Sequence, residues 1–468
     1  MSEVVERLMK DGVRFVDLQL TDVPGKLHHV TVTREFLDEE VLERGVPKLD
    51  GSSIRGFVEI YESDLVLKPD PSTYALIPWS DGEQKTARLI CDVYADFGGK
   101  RLEKDPRYVA QRAEEYLRTQ GFSESRWGPE AEFFVFDKVS WDVMTPYKAS
   151  FEIRSREAAW NGDSPYPIRF KEGYFPAPPQ DTLMEFRSEV ASTLTRYFGI
   201  QCDAHHHEVA TAGQCEIDMT HSTLTRMADN LMTYKYVVRN IAVKYGLVAT
   251  FMPKPIHMDN GSGMHTNVSL WTNGENMFYD PEDDYAELSQ IGRYFTGGLL
   301  EHSRSLAAIV APTTNSYRRL VPGYEAPIFI AWSRRNRSAN VRIPTYYRGM
   351  RRSKRVEFRT PDTSCNPYLA FAAILMAGLD GIKKKIDTGD PVDENIYHLT
   401  PEKRRELGIK ELPRNLAEAL DCLETDHEYL KPVFEPSLLD TIIEFGRTQY
   451  SRVASRPHPY EFYLYFDV

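Results

Sequence analysis

Arg355-Val356-Glu357-Phe358-Arg359 alternates charge with apolar bulk, the charged residues falling at i, i+2 and i+4. Strand side chains alternate between faces. The spacing therefore predicts a strand with Arg355, Glu357 and Arg359 on one side and Val356 and Phe358 on the other. An Arg-Glu-Arg row backed by an apolar row implies a sheet with one face on a core and one on a polyanion site. Taken alone, the pattern fits a solvated charged strand better. It is not alone. From Arg318 to Arg359 there are twelve Lys and Arg residues and two acids, Glu325 and Glu357, in a chain of formal charge -12. Arg318, Arg319, Arg334, Arg335, Arg337 and Arg342 all fall in this segment, and guanidinium groups bind phosphate and carboxylate through paired hydrogen bonds. A nucleic-acid groove needs local positive charge over a broad surface. An acidic chain argues against that, and a small polyphosphate such as ATP fits better.

The chain has 468 residues, 41% hydrophobic and 27% charged, enough for two or three domains with a large core. Cys91, Cys202, Cys215, Cys365 and Cys422 are scattered and form no CxxC pair, which points away from a disulfide framework or a thiolate zinc site and toward a reducing compartment. The N-terminus lacks the basic and apolar regions of a signal peptide. The longest apolar run, near Phe371–Leu379, is short of the roughly 20 residues a membrane span needs. The expected address is the cytoplasm, with no membrane partner.

Along the chain, residues 3–11 read as a helix stopped by Gly12, and 13–21, 27–32 and 87–94 as strands of a small, mostly β unit. Asp50-Gly51-Ser52-Ser53 has the chemistry of a turn. The polar stretch Asp96–Asp105 marks a boundary, giving domains 1–100 and 101–468. Pro106 opens a helix to Thr119. Trp127 to Phe136 reads as one strand with Glu130 and Glu132 on one face; two like charges on an apolar strand call for a cation, and a metal is the simplest. A half-exposed edge strand paired with Lys or Arg is the alternative. Residues 139–180 read as an irregular loop, 181–197 as a helix. Glu208 and Glu216, eight apart, could share a sheet face, or Gly213 could turn the chain between them. Residues 222–245, 284–310 and 368–385 read as core helices, and 391–468 as helical with turns. Asn260-Gly261-Ser262-Gly263-Met264-His265 lets backbone approach a ligand but lacks the ending of a P-loop.

These motifs, taken in order, resemble the glutamine synthetases of bacteria and archaea over residues 13–468. The resemblance rests on Asp50-Gly51-Ser52-Ser53, Gly128-Pro129-Glu130-Ala131-Glu132, Gly173-Tyr174-Phe175-Pro176, His206 through Gln214, Lys254-Pro255 through His265, Asn315 through Pro327, Arg335-Asn336-Arg337-Ser338 and Glu357-Phe358-Arg359. It implies an α+β fold: a small β-grasp N-terminal domain plus a large catalytic domain with a curved antiparallel sheet and helices. It also implies twelve subunits in two stacked hexameric rings, with active sites shared between subunits, and leaves regulatory partner proteins open.

The activity implied is ATP-dependent condensation of glutamate with ammonia through a γ-glutamyl phosphate. By resemblance, Glu132, Glu208 and Glu216 hold one divalent metal, and Glu130, His265 and Glu357 a second. Carboxylates with one imidazole suit Mg²⁺, with Mn²⁺ more tolerant of the histidine. Arg337, Arg342, Arg355, Asn267 and Ser269 fall in the nucleotide site. Arg319 and Arg359 clamp the substrate carboxylate and the transferring phosphoryl group, and Asn260 and Gly261 hold the amino-acid end of glutamate. Asp50, Tyr174 and Glu208, with Ser53 nearby, form the ammonium pocket. Asp50 comes from a neighbouring subunit, and Glu325 is the flap glutamate.

The sequence departs from the family at a few places. Asn267 stands where some members have histidine. The surroundings of Tyr397 differ from the loop whose tyrosine is adenylylated in some bacterial members, so Tyr397 reads as an ordinary loop residue. Glu59 occupies the place of a feedback-sensing arginine. Two rivals remain: a sister ligase acting on organic amines or polyamines, and an inactive scaffold. The acidic pocket argues against the first and six intact ligand positions against the second.

Overall fold

The computed structural model describes residues 3–160, 164–345 and 347–468. The N-terminal unit is a mixed sheet in the order Leu27–Thr33, Phe15–Thr21, Thr86–Tyr94, Asp64–Pro69, Val46–Asp50, with Ala75–Leu76 paired to Thr86–Tyr94. Phe15–Thr21 and Thr86–Tyr94 run parallel; the other pairs are antiparallel. Val16, Leu18 and Leu20 enter the core as their period-two spacing predicts. Asp17 and Gln19 on the other face are buried too, and Asp17 accepts hydrogen bonds from Gln19 and Thr31.

The larger unit is built on an eight-stranded sheet in the order Ser222–Thr223, Glu124–Ala131, Met264–Thr272, Val356–Phe358, Ala339–Ile343, Phe329–Arg334, Lys410–Glu411, with Glu275–Asn276 added beside Met264–Thr272. It is antiparallel except where Phe329–Arg334 and Ala339–Ile343 run parallel around a bulge. A four-stranded sheet in the order Cys202–His207, Gln214–Met219, Phe133–Phe136, Val248–Thr250 adjoins it. Helices Pro106–Thr119, Leu224–Lys244, Gln290–Val310 and Pro367–Lys384 pack behind. Two begin with proline after a capping side chain, Asp105 and Asn366. Gly298 and Gly381 let two of these helices touch: a Cβ on Gly298 would lie 2.1 Å from the Ala377 carbonyl.

Three expectations change. Trp127 to Phe136 is not one strand. It breaks at Glu132 into Glu124–Ala131 and Phe133–Phe136, which join different sheets, because the Glu132 amide leaves the ladder to donate to the Gly263 carbonyl at 3.2 Å. Residues 139–180 are not wholly irregular. Lys138–Asp142 and Ser150–Arg154 form an antiparallel hairpin, and residues 161–163 of that stretch lie outside those described. The third helix starts late: 284–289 stays outside Gln290–Val310, since the Ser289 side chain caps it by accepting from the Gly292 amide. The remaining helices, Glu3–Lys10, Met184–Phe198, Leu224–Lys244 and Pro367–Lys384, lie within a few residues of their expected bounds.

Candidate active site

The strand that opened the analysis lies at the centre of the larger sheet. Val356 and Phe358 are fully buried in the core. Glu357 faces the other way, also fully buried, and is held from both sides. Its Oε1 accepts from Arg359 Nη1 at 2.7 Å and its Oε2 from Arg342 Nη1. Antiparallel pairing then brings His265 opposite Glu130 on one strand pair and Asn267 opposite Glu357 on the next. One ligand atom from each of Glu130, His265 and Glu357 lies within 4.8 Å of the others, and His265 Nδ1 is 3.4 Å from Glu130.

A second cluster stands on the smaller sheet. The chain reverses between His207 and Gln214, with Ala212 and Gly213 both at positive φ. A Cβ on Gly213 would meet the Val135 carbonyl at 2.4 Å, so only glycine fits that turn. The reversal puts His206 opposite Glu216 and leaves Glu208 just past the strand end. His206, Glu208 and Glu216 come within 4.8 Å, His206 reaching each glutamate at 3.6 Å. Glu132 stands close by. Its carboxylate accepts from Gln214 Nε2 at 2.8 Å and the Gly263 amide at 3.1 Å.

Glu130 and His265 of the first cluster and all three residues of the second line a cavity of about 1190 Å³; Glu357, fully buried, joins the first cluster without lining the cavity. Arg319, Arg337, Arg355 and Arg359 line it as well, with Tyr174, Asn260, Gly261, Asn267, Ser269 and Glu325. Arg319 is 3% exposed and donates to the carbonyls of Thr360 and Arg359. Asn267 donates to Glu130 at 3.0 Å and accepts from Arg355 Nε at 2.8 Å, joining a carboxylate to a guanidinium. A Cβ on Gly263 would lie 2.6 Å from Arg319 Nη2, so a side chain there would displace that guanidinium.

Burial shapes the charges. Desolvation, then repulsion from neighbouring glutamates, pushes Glu132 and Glu216 well above the usual carboxylate range. Burial also lifts Glu208 to about 7, and the Glu325 charge adds to the shift. Desolvation, reinforced by Arg359, holds His265 well below its usual value, which leaves the imidazole neutral and able to donate a lone pair. Clustered acids that resist ionising until a cation arrives, beside a neutral imidazole, fit a divalent metal.

Besides Glu357, three residues named for the site do not line this chain's cavity, and two of them, Asp50 and Ser53, stand on the loop that the resemblance ascribes to a neighbouring subunit's site. Asp50 and Ser53 sit in an exposed turn of the N-terminal unit, where Asp50 accepts from Ser52 Oγ at 2.7 Å and Ser53 Oγ at 2.8 Å, and neither lines the cavity. These bonds, that of Ser52 first, lower the Asp50 pKa. Arg342 lines no part of the cavity; its side chain is buried on the adjacent strand and committed to Glu357. Tyr397 is more than a plain loop residue, since its hydroxyl donates to the Ala326 carbonyl at 2.6 Å, next to Glu325. His206 and Asp259 carried no expected role. Asp259 is fully buried and its carboxylate accepts from the amides of Lys171, Asn260 and Thr211. Nothing about an aspartate in a loop announces that role. His206 follows once the hairpin is known.

A paired-carboxylate centre walled by arginines on this two-unit fold defines a metal-dependent, phosphate-handling enzyme. The comparisons with known proteins make it specific. Residues 12–96 match the model of the glutamine synthetase β-grasp domain and residues 103–465 that of the glutamine synthetase catalytic domain. Glutamine synthetase of Sulfolobus acidocaldarius is 56% identical over 99% of this chain and 98% of its own length. That of Aquifex aeolicus is 48% identical over 100% and 98%. A cryo-electron microscopy structure of Plasmodium falciparum glutamine synthetase superposes with a TM-score of 0.89 at 29% identity, covering 99% of each chain. A GmaS–ADP complex gives 0.82 at 28%, covering 100% of each. The chain belongs to the glutamine synthetase family. It is a glutamate–ammonia ligase of glutamine biosynthesis with the family's β-grasp and catalytic domains, and it uses ATP and a divalent metal. Among the described residues no helix is long and apolar enough to cross a membrane.

Proposed function

We propose that this cavity makes glutamine in two steps, and that the residues named above divide the work. The observation that carries the proposal is Glu357, a fully buried carboxylate shared between a metal-type cluster and the guanidinium of Arg359. Glu130, His265 and Glu357 would hold one divalent ion, and Glu208 and Glu216, with Glu132, a second. Mg²⁺ is the ion the oxygen-rich sets favour, with Mn²⁺ as the alternative that the imidazole tolerates. When bound, such ions neutralise phosphate charge.

In the first step the glutamate γ-carboxylate oxygen attacks the terminal phosphorus of ATP, ADP leaves, and an acyl phosphate forms. Arg337, Arg355 and Arg359 offset charge on the transferring group, while Arg319, Asn260 and Gly261 hold the amino acid. Asn267 and Ser269 belong to the nucleotide side. In the second step ammonium, bound as a cation by Glu208, Tyr174 and Glu325, loses a proton to a carboxylate. The free ammonia then attacks the acyl carbon, the acyl carbon–oxygen bond to phosphate breaks, and the proton that nitrogen loses leaves with the phosphate. Glu325 on its flap excludes the competing water.

Asp50 and Ser53 would complete the ammonium pocket of a neighbouring subunit. Their exposure supports this, as does the terminal helix Pro459–Tyr465, which presents Tyr460, Phe462, Tyr463 and Tyr465 to solvent. A dodecamer of two hexameric rings, a cytoplasmic address, and a domain division at 1–100 and 101–468 complete the proposal; regulatory proteins are left open as partners.

The test is phosphate release from ATP with glutamate, comparing ammonium with methylamine, ethanolamine and putrescine. Release that requires both glutamate and ammonium and yields glutamine is the expected result. Release with an organic amine alone would recast the acidic pocket as an amine site. Full ammonium-dependent activity in Asp50→Ala would remove Asp50 from the pocket.

A further inference from the structure

Two ammonium groups converge on one aromatic ring beside Glu325. Lys254 Nζ lies 3.9 Å and Lys171 Nζ 4.4 Å from the centroid of Tyr324. Like charges this close repel, and the electron-rich face of the ring offsets the repulsion. Both lysines also bond to backbone. Lys171 donates to the Gly323 carbonyl at 2.9 Å, and Lys254 to the Asp259 carbonyl.

The two lysines are mounted on the same buried residue. The carboxylate of Asp259 accepts from the Lys171 amide at 3.0 Å, the Asn260 amide at 2.9 Å and the Thr211 amide at 2.7 Å. One aspartate therefore ties together the segment that leads to Tyr174, the segment that carries Asn260 and Gly261, and both lysines over the flap. Glu325, next after Tyr324, has φ 58, a left-handed conformation that a residue with a side chain adopts only when its surroundings impose it. The flap is held on both sides of it: Gly323 and Tyr324 by the lysines, Ala326 by the Tyr397 hydroxyl.

We propose that Tyr324, clasped by Lys171 and Lys254, is a positioning residue that sets the Glu325 carboxylate over the ammonium pocket and links it to the Asp259-anchored glutamate site. This rests on the flap role given to Glu325 above. Because the clasp grips the ring face, its loss frees Glu325 while leaving ATP cleavage intact. Ammonium binding then weakens, and water takes part of the acyl phosphate.

The experiment compares Tyr324→Leu, Tyr324→Phe, Lys171→Met and Glu325→Ala in the full-length enzyme, measuring glutamine formed and phosphate released across a range of ammonium. Tyr324→Leu is expected to raise the ammonium KM at least about tenfold and to release more than one phosphate per glutamine. Tyr324→Phe, which keeps the ring, should stay near the parent, and Lys171→Met should fall between. An unchanged KM and one-to-one stoichiometry in Tyr324→Leu would overturn the clasp, as would equal damage in Tyr324→Phe. If Tyr324→Leu does not fold, Lys171→Met decides alone: an unchanged ammonium KM there overturns it. Glu325→Ala separates the two claims. If that variant keeps both readouts, the flap role itself falls; if it collapses while Tyr324→Leu does not, only the clasp falls.

Discussion

Two buried charge clusters in this chain are built on opposite plans. Where the N-terminal sheet meets the helices behind the active site, Arg107 lies nearly buried among three aspartates. It reaches Asp92 at 2.6 Å, Asp70 at 2.6 Å and Asp229 through both Nε and Nη2 at 3.0 Å, and Tyr368 donates to Asp229 at 2.7 Å. Burial alone would raise the Asp70 pKa, but Arg107 draws it below the usual value. In the active site Glu132, Glu208 and Glu216 stand close to other acids, and burial together with that repulsion pushes all three up. The first cluster carries its own cation and is finished on folding. The second, as proposed above, is finished only when a cation arrives. Desolvation costs are similar in kind; what differs is whether the chain itself supplies the opposite charge.

The sharpest way to break the comparison is at Glu357, where the two plans meet, since this acid has arginines on one side and a ligand cluster on the other. Glu357→Gln should lower glutamine formation about a thousandfold and weaken divalent-metal binding in calorimetry. Activity near that of the parent would remove Glu357 from the centre. Next is Arg107→Met, which takes the shared guanidinium from buried Asp229 and half-buried Asp70 and Asp92 and should cost about 3–5 kcal/mol of stability. Chemical denaturation would register this, with metal affinity of the folded protein unchanged; a loss of metal affinity as well would mean the clusters are coupled.

The pH dependence should separate them further. A carboxyl whose folded pKa lies above its unfolded one stabilises the fold below the unfolded value and loses that contribution as pH rises through the folded value. For Glu208 the window runs from about 4.5 to about 7, so the metal-free protein should lose up to about 3 kcal/mol across it. Divalent metal needs the ionised form. Its effect on the melting temperature should therefore be larger at pH 8 than at pH 6, and a metal effect independent of pH would contradict the assignment of Glu208. The smallest effect has an unusual sign. Glu216→Gln removes a carboxyl that burial first, and neighbouring acids second, make costly to ionise, and should stabilise the metal-free protein at pH 7 by about 1 kcal/mol while reducing its stabilisation by metal; destabilisation in the absence of metal would count against that cost.

Much of this was legible in the chain. Alternation in 355–359 foretold which side of the sheet would be core and which would carry Glu357, because strand geometry is a local property with a fixed period. The helix start at Pro106 was legible for the same reason, since caps act within one turn. The site was less legible where its parts depend on pairing. Glu132 leaves its strand because of a carbonyl at Gly263, more than a hundred residues away. His206 meets Glu216 only through the register of a hairpin. Arg342 looked like a nucleotide contact by motif, yet its strand neighbour claims it.

By itself the sequence determined the local patterns, the set of acids and arginines, and the family. The tertiary structure decided which charges meet. Register and turn geometry place each carboxylate, and that placement sets whether burial is offset by an arginine of the chain, as at Arg107, or compounded by neighbouring acids, as at Glu216. Asp50 marks the limit of a single chain: its residue type and turn are local, and the cavity of its own chain does not include it.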